Sequence, residues 1–200
     1  MLLKRRSAIF IHIPKTAGSS VERALKPHRD LREILVRRTN KTFQSLRLSF
    51  RLNGIDTQTH ASARDYSALL GDGFYDYFSF AFVRNPFDWA VSHYHFSLKR
   101  GKTNLSFRDY LENMTANSQA DYITDNDGNV MISFVGRFER LNEDFSTVSE
   151  KIGLRLNLPH LNSTTHEGFA SHYDPITREI VVDRYRRDFE VLGYSTDLAV

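Results

Sequence analysis

The run Ile9-Phe10-Ile11-His12-Ile13, followed at once by Pro14-Lys15-Thr16-Ala17-Gly18-Ser19-Ser20, constrains this chain more than any other stretch. A short apolar run stopped by proline reads as a buried strand, and Val21 to Leu25 reads as the opening of a helix. Between them lie one ammonium, one glycine and three hydroxyls. A helix N-terminus leaves backbone N–H groups unpaired, a glycine lets a ligand approach closely, and hydroxyls and an ammonium add donors. The chemistry suits a tetrahedral anion, phosphate or sulfate. The loop does not follow G-x-x-x-x-G-K-[ST], because its lysine precedes its only glycine.

Tyr77 to Val83 is a second buried strand, and Asn85-Pro86 punctuates it, with the proline acceptable in the first turn of the next helix. That helix carries Trp89, Ser92, His93 and Phe96 at helical spacing. Ser62-Ala63-Arg64-Asp65 has capping-box form and predicts a helix running to Leu70 and stopping at Gly71. Ser106-Phe107-Arg108-Asp109 starts another by the same logic. Asp125-Asn126-Asp127-Gly128 is a turn signal ahead of an apolar strand ending at Gly136. Glu139 to Ile152 is amphipathic, with Leu141, Phe145, Val148 and Ile152 as its buried stripe. Asp174-Pro175 caps a last helix that runs to near Gly193. Pro27 ends the first helix, a further helix is expected over residues 31–38, and a weak strand over residues 52–59.

Strands alternating with helices predict an α/β fold with a mainly parallel central sheet flanked by helices in three layers. With 200 residues, 40% of them hydrophobic, the chain is long enough to bury one core, and no linker composition divides it, so residues 1–200 are expected to form one domain. It has no cysteine, which excludes a disulfide framework and a thiolate metal site. A formal charge of +3 gives no reason to expect a nucleic-acid partner. The basic clusters Lys4-Arg5-Arg6, Arg37-Arg38 and Arg184 to Arg187 are read as solvated faces compatible with anionic ligands. No apolar run approaches the ~20 residues of a membrane span and no signal segment is visible, so a cytoplasmic location is expected. The Asn-x-Ser/Thr triplets at Asn40, Asn104, Asn113 and Asn162 are then chance matches.

Pro14 to Ser20 resembles the 5′-phosphosulfate loop of sulfotransferases that use 3′-phosphoadenosine 5′-phosphosulfate (PAPS). The likeness is to the carbohydrate-type members, in particular the heparan sulfate 2-O-sulfotransferase-like branch, as a soluble bacterial-type member. Phe80 to Ser92 resembles the 3′-phosphate motif of that family, and Gly136-Arg137-Phe138-Glu139 its later strand end. The resemblance implies a P-loop-like fold. It assigns Lys15 to the bridging oxygen and the sulfonate, and Thr16, Ala17, Gly18, Ser19 and Ser20 to the 5′-phosphate. Arg84 and Ser92 go to the 3′-phosphate, and Ser163 and Thr164 resemble a late loop that contacts the cofactor. For Arg84 the plainer alternative is an ion pair with Asp88.

Sulfonate transfer to an alcohol needs the attacking hydroxyl deprotonated, and imidazole has a suitable pKa. His60, in Thr59-His60-Ala61-Ser62, resembles the histidine base of one branch, with Glu22 as the substitute. His12 is read as a core residue, and His93 and His95 as packing residues. The expected partners are a nucleotide donor, leaving as adenosine 3′,5′-bisphosphate, and a hydroxyl-bearing acceptor: a carbohydrate, a glycolipid or a small metabolite. No His/Asp/Glu cluster has metal-ligand spacing, so no metal is expected. A divergent P-loop nucleotide kinase and a non-catalytic nucleotide-binding module stand as rivals, and a serine hydrolase lacks its G-x-S-x-G elbow. Acceptor identity and oligomeric state stay open.

Overall fold

The computed structural model describes residues 1–29, 60–159 and 168–198. Ser163, Thr164, the helix expected over residues 31–38 and the strand expected over residues 52–59 lie outside the described residues. Four strands form one sheet in the order β1 (Leu2–Leu3), β2 (Ala8–Ile11), β3 (Phe78–Val83), β4 (Phe134–Arg137). β2 and β3 pair in parallel from Ala8↔Phe78 to Ile11↔Ala81, and β3 and β4 in parallel from Phe80↔Phe134 to Val83↔Arg137. All three therefore end at the same edge. β1 is antiparallel to β2 and was not anticipated. It is two residues long, and the chain reverses through a tight turn over Lys4–Arg6, closed by Ser7 in a left-handed conformation.

The helices are α1 (Gly18–Leu25), α2 (Ala63–Leu70), α3 (Pro86–Lys99), α4 (Phe107–Asn113), α5 (Leu141–Lys151), α6 (Pro175–Arg184) and α7 (Arg186–Leu192). Strand alternation sends Ala8, Phe10, Phe80 and Phe82 to one side of the sheet, where they pack with Val21 and Leu25 of α1 and Phe145 and Val148 of α5. Ile9, Ile11, Ala81 and Val83 face the other side, against Ala63 and Tyr66 of α2. A third cluster joins Phe87 and Trp89 of α3 to Leu111, Val181, Tyr185 and Phe189. No helix among the described residues is long and apolar enough to cross a membrane.

Local signals set most helix starts. Ser62 and Asp65 form the reciprocal capping box that opens α2, and Gly71, with φ of 58°, closes it. Asp174 and Thr177 form another before α6. The single last helix expected from Pro175 to Gly193 is instead two, broken at Tyr185 (φ −113°, ψ 27°). The break accompanies burial of the Tyr185 ring edge-on against Trp89, centroids 5.1 Å apart. It also lets Asp188 accept hydrogen bonds from the backbone N–H groups of Gln119 and Ala120 at 3.0 and 2.8 Å.

Candidate functional site

The turn between β2 and α1 is held from outside by its carbonyls. Four consecutive C=O groups each accept from a side chain: His12 from His60 Nδ1 (2.9 Å), Ile13 from Thr16 Oγ1 (2.9 Å), Pro14 from Trp89 Nε1 (2.8 Å) and Lys15 from Arg84 Nη1 (3.4 Å). Lys15 and Ala17 adopt left-handed conformations with φ of 66° and 67°. Non-glycine residues rarely do so, and successive turns of this kind make a concave row of backbone donors. The N–H of Ser20 is already spent on the Ala17 carbonyl at 2.9 Å. Those of Lys15 to Ser19 donate to no partner among the described residues. The hydroxyl of Thr16, expected among the anion donors, instead stays within the loop on Ile13.

Gly18 is required by its neighbour. A Cβ there would lie 2.0 Å from Cδ2 and Nε2 of His12, so a larger residue would displace that ring. His12 in turn meets His60 edge-on with centroids 4.7 Å apart, and its Nδ1 lies 3.6 Å from Glu22 Oε1. A carbonyl oxygen can only accept, so His60 donates through Nδ1–H and its Nε2 is left as the basic nitrogen. Partial burial pushes the pKa of His60 down, with the charge of His12 acting the same way. The bond to the His12 carbonyl and the charge of Glu22 oppose both. The ring is therefore a neutral base near pH 7. His60 as a residue is exposed, so it stays within reach of solvent.

Lys15 extends over the ring of Phe96, with Nζ 4.2 Å from the centroid. Partial burial and the charges of Arg84 and Lys99 lower its pKa from 10.5 to about 8. Arg84, at the end of β3, pairs with Asp88 through both Nε (2.6 Å) and Nη2 (2.8 Å), and its guanidinium lies 4.0 Å over the Phe138 ring. The ion pair weighed as the plainer alternative is thus present. A guanidinium has five N–H donors. Three are engaged here, two by Asp88 and one by the Lys15 carbonyl, leaving two for a ligand. Ser92 lies buried on α3. His93, beside it, has a pKa pushed down to about 3 by burial and by the charges of Lys15, Arg84 and His60.

The structure thus gathers Lys15, Arg84 and His60 around one turn, with Ser92 buried on α3, while Ser163 and Thr164 lie outside the described residues. Two residues that build the site went unassigned in the sequence. Trp89 is the only tryptophan of the chain, but helical spacing cannot say that its indole N–H reaches Pro14. Gln119 clamps the Arg84 backbone, accepting its N–H and donating to its C=O, both at 2.9 Å, and no local pattern marks it. Among the described residues no group of three or more His, Asp or Glu is placed to hold a metal ion.

Comparison with known proteins gives two results. The profile described as "Sulfotransferase family" matches residues 3–195. An uncharacterized protein of Archaeoglobus fulgidus is 36% identical over 83 residues, which cover 39% of this chain and 69% of that protein.

Proposed function

Because the chain belongs to the sulfotransferase family, we propose that it moves the sulfonate of PAPS onto a hydroxyl acceptor, a carbohydrate, glycolipid or small polar metabolite, as a carbohydrate-type member. The observation that carries this reading is the run of four carbonyls, His12 to Lys15, each held by a side-chain donor, with the N–H groups of residues 15–19 left to a ligand. Those donors and the charge of Lys15 fit a 5′-phosphosulfate. The two unengaged donors of Arg84 and the Ser92 hydroxyl fit a 3′-phosphate. Asp88 neutralises part of the Arg84 charge, so at that position the fit is by direction more than by net charge.

In the transfer, the acceptor hydroxyl gives its proton to His60 Nε2 as its oxygen bonds to sulfur. The bond from sulfur to the 5′-phosphate oxygen breaks on the opposite side, and adenosine 3′,5′-bisphosphate leaves. Lys15, next to that oxygen, stabilises the charge it gains. The bond from His60 to the His12 carbonyl fixes the tautomer that this step needs. Glu22 raises the affinity of His60 for the proton and is the alternative base. The reading takes residues 1–200 as one domain of three-layer, P-loop-like architecture, supported by packing on both sheet faces.

The test is incubation with radiolabelled PAPS and a panel of hydroxyl-bearing extracts, with EDTA present. Label is expected on an acceptor. In a parallel incubation with ATP and magnesium and no EDTA, ATP turnover without sulfonate transfer would identify a divergent kinase, and nucleotide binding with no turnover in either incubation a binding module. Without an acceptor, the bisphosphate product at ~100-fold excess over Kd should add ~2.7 kcal/mol of stability, again with EDTA.

A further inference from the structure

Helix α3 presents a second imidazole that the transfer chemistry leaves unused. His93 lies one turn beyond Trp89, its ring edge-on to the indole with centroids 4.3 Å apart, and Trp89 is bonded to Pro14 of the anion loop. Its Nε2 is buried and has no hydrogen-bond partner among the described residues. Buried polar atoms are nearly always satisfied, by protein, water or ligand, so an unpaired nitrogen at the wall of a binding site points to the ligand.

The charged groups near enough to act on His93 indicate which ligand atom that is. Lys15 from the loop, Arg84 from the end of β3 and His60 from the turn before α2 all act on it electrostatically, and burial together with these charges keeps the ring neutral. A neutral imidazole has one N–H and one lone pair. The space shared by Lys15 and Arg84 draws an anion, which a lone pair would repel, so the tautomer that fits carries its proton on Nε2. Lys15 marks where the sulfonate lies, and Arg84 marks the more distant phosphate.

We propose that His93 donates its Nε2–H to a sulfonate oxygen of the bound donor and so distinguishes the charged donor nucleotide from its spent product. This rests on the sulfonate-transfer reading. The contact adds no charge, unlike that of Lys15, and transfers no proton, unlike that of His60.

PAPS and adenosine 3′,5′-bisphosphate differ only by the sulfonate, so calorimetric titration with each nucleotide, without acceptor, isolates the contact. His93→Phe keeps a ring against Trp89 and removes the donor. It should lose about 10-fold in affinity for PAPS, the size of one hydrogen bond to a charged group, with bisphosphate affinity unchanged. His93→Gln offers an amide N–H over a similar reach and should recover most of the loss. Bisphosphate binding by each variant also shows that it has folded. Equal affinities of His93→Phe and wild type for PAPS would overturn the proposal, as would equal losses for both nucleotides, which would make His93 a support for the loop. A wild-type protein that binds neither nucleotide would overturn the sulfonate-transfer reading together with it.

Discussion

The ends of β2 and β3 lie side by side at one edge of the sheet and are finished in opposite ways. At the end of β3 the backbone around Arg84 and three of its five guanidinium N–H donors have protein partners. Gln119 takes both backbone groups of Arg84, Glu139 accepts the Asn85 N–H at 2.7 Å, Asn85 caps the Phe87 N–H at 3.0 Å, and Asp88 binds the guanidinium twice. At the end of β2 the carbonyls are equally well held, yet the N–H groups of residues 15–19 have no described partner and Lys15 rests on an aromatic ring. One end is satisfied by the fold except for two guanidinium N–H groups, and the other is held in shape but has a whole row of backbone donors left over. A backbone fixed from one side with donors left on the other is open to a ligand or to water, and the adjoining end keeps the geometry from collapsing onto those donors.

The largest effect should come at the unsatisfied end. His60→Ala is expected to lower kcat by ~10²–10⁴-fold if His60 is the base, with bisphosphate affinity nearly unchanged. Wild-type turnover in that variant would pass the role to Glu22. At the satisfied end the expected damage is to stability. Arg84→Ala strands the Asp88 carboxylate, whose side chain is only 17% exposed, and breaking such a pair costs ~3–5 kcal/mol. Chemical denaturation of Arg84→Ala and of the Arg84→Ala/Asp88→Ala double variant separates the two contributions of Arg84. The double variant should regain most of the stability without regaining preference for the bisphosphate over adenosine 5′-monophosphate. Recovery of both would show that Arg84 acts only through the fold.

What could be read from the sequence follows the same division. The β2 turn was legible because its signal is contiguous: an apolar run, a proline, then glycine and hydroxyls within a few residues. The capping boxes of Ser62 and Asp174 were legible because their partners are three residues apart, and the Arg84–Asp88 pair because its partners are four residues apart. The groups that make the turn an anion cradle were not. Trp89 reaches Pro14 and Gln119 reaches Arg84 across 75 and 35 residues, and spacing says nothing of either. The break at Tyr185 accompanies burial of its ring against Trp89, a long-range contact, so capping signals alone predicted one helix. His93 was read as packing, and it does pack on Trp89. Its unpaired nitrogen emerges only when Lys15, Arg84 and His60 are placed around it.

A smaller effect sharpens the comparison through pH. The pKa of Lys15 is lowered to about 8 in the fold, so between that value and the ordinary 10.5 the folded protein binds fewer protons than the unfolded chain. Stability without ligand should therefore receive a favourable contribution from Lys15 as pH rises through this window. Anion affinity has the opposite sign, because the ammonium must be restored before it can hold a phosphate. One pH unit above 8, about a tenth of Lys15 is charged, and bisphosphate affinity should fall roughly 10-fold. Calorimetric titration across pH 7–9.5 should show this slope in wild type and not in Lys15→Ala. The same slope in both proteins would place the titrating group elsewhere.

The smallest expected effect is the most direct test of the difference between the two ends, because it removes one comparable hydrogen bond from each. Trp89→Phe keeps an aromatic ring between His93 and Tyr185 and removes the N–H that holds Pro14 O at 2.8 Å. Tyr194→Phe removes the hydroxyl that donates to Glu139 at 2.9 Å and keeps the ring beneath Arg137. Each hydrogen bond is worth ~1 kcal/mol of stability, and Trp89→Phe loses more because Trp89 is fully buried and the smaller ring leaves a cavity. The comparison therefore rests on the binding changes, which are expected to differ. With Pro14 released, the left-handed turn at Lys15 has one tether fewer and must be ordered by the ligand, so bisphosphate affinity should fall several-fold, by up to the ~1 kcal/mol that the tether contributed. With Glu139 released, Asn85 N–H keeps its acceptor and no donor of the anion loop is touched, so affinity should stay at the wild-type value. Equal affinity losses in the two variants would mean that the ends of β2 and β3 respond as one unit, and the division between a satisfied and an unsatisfied end would not hold.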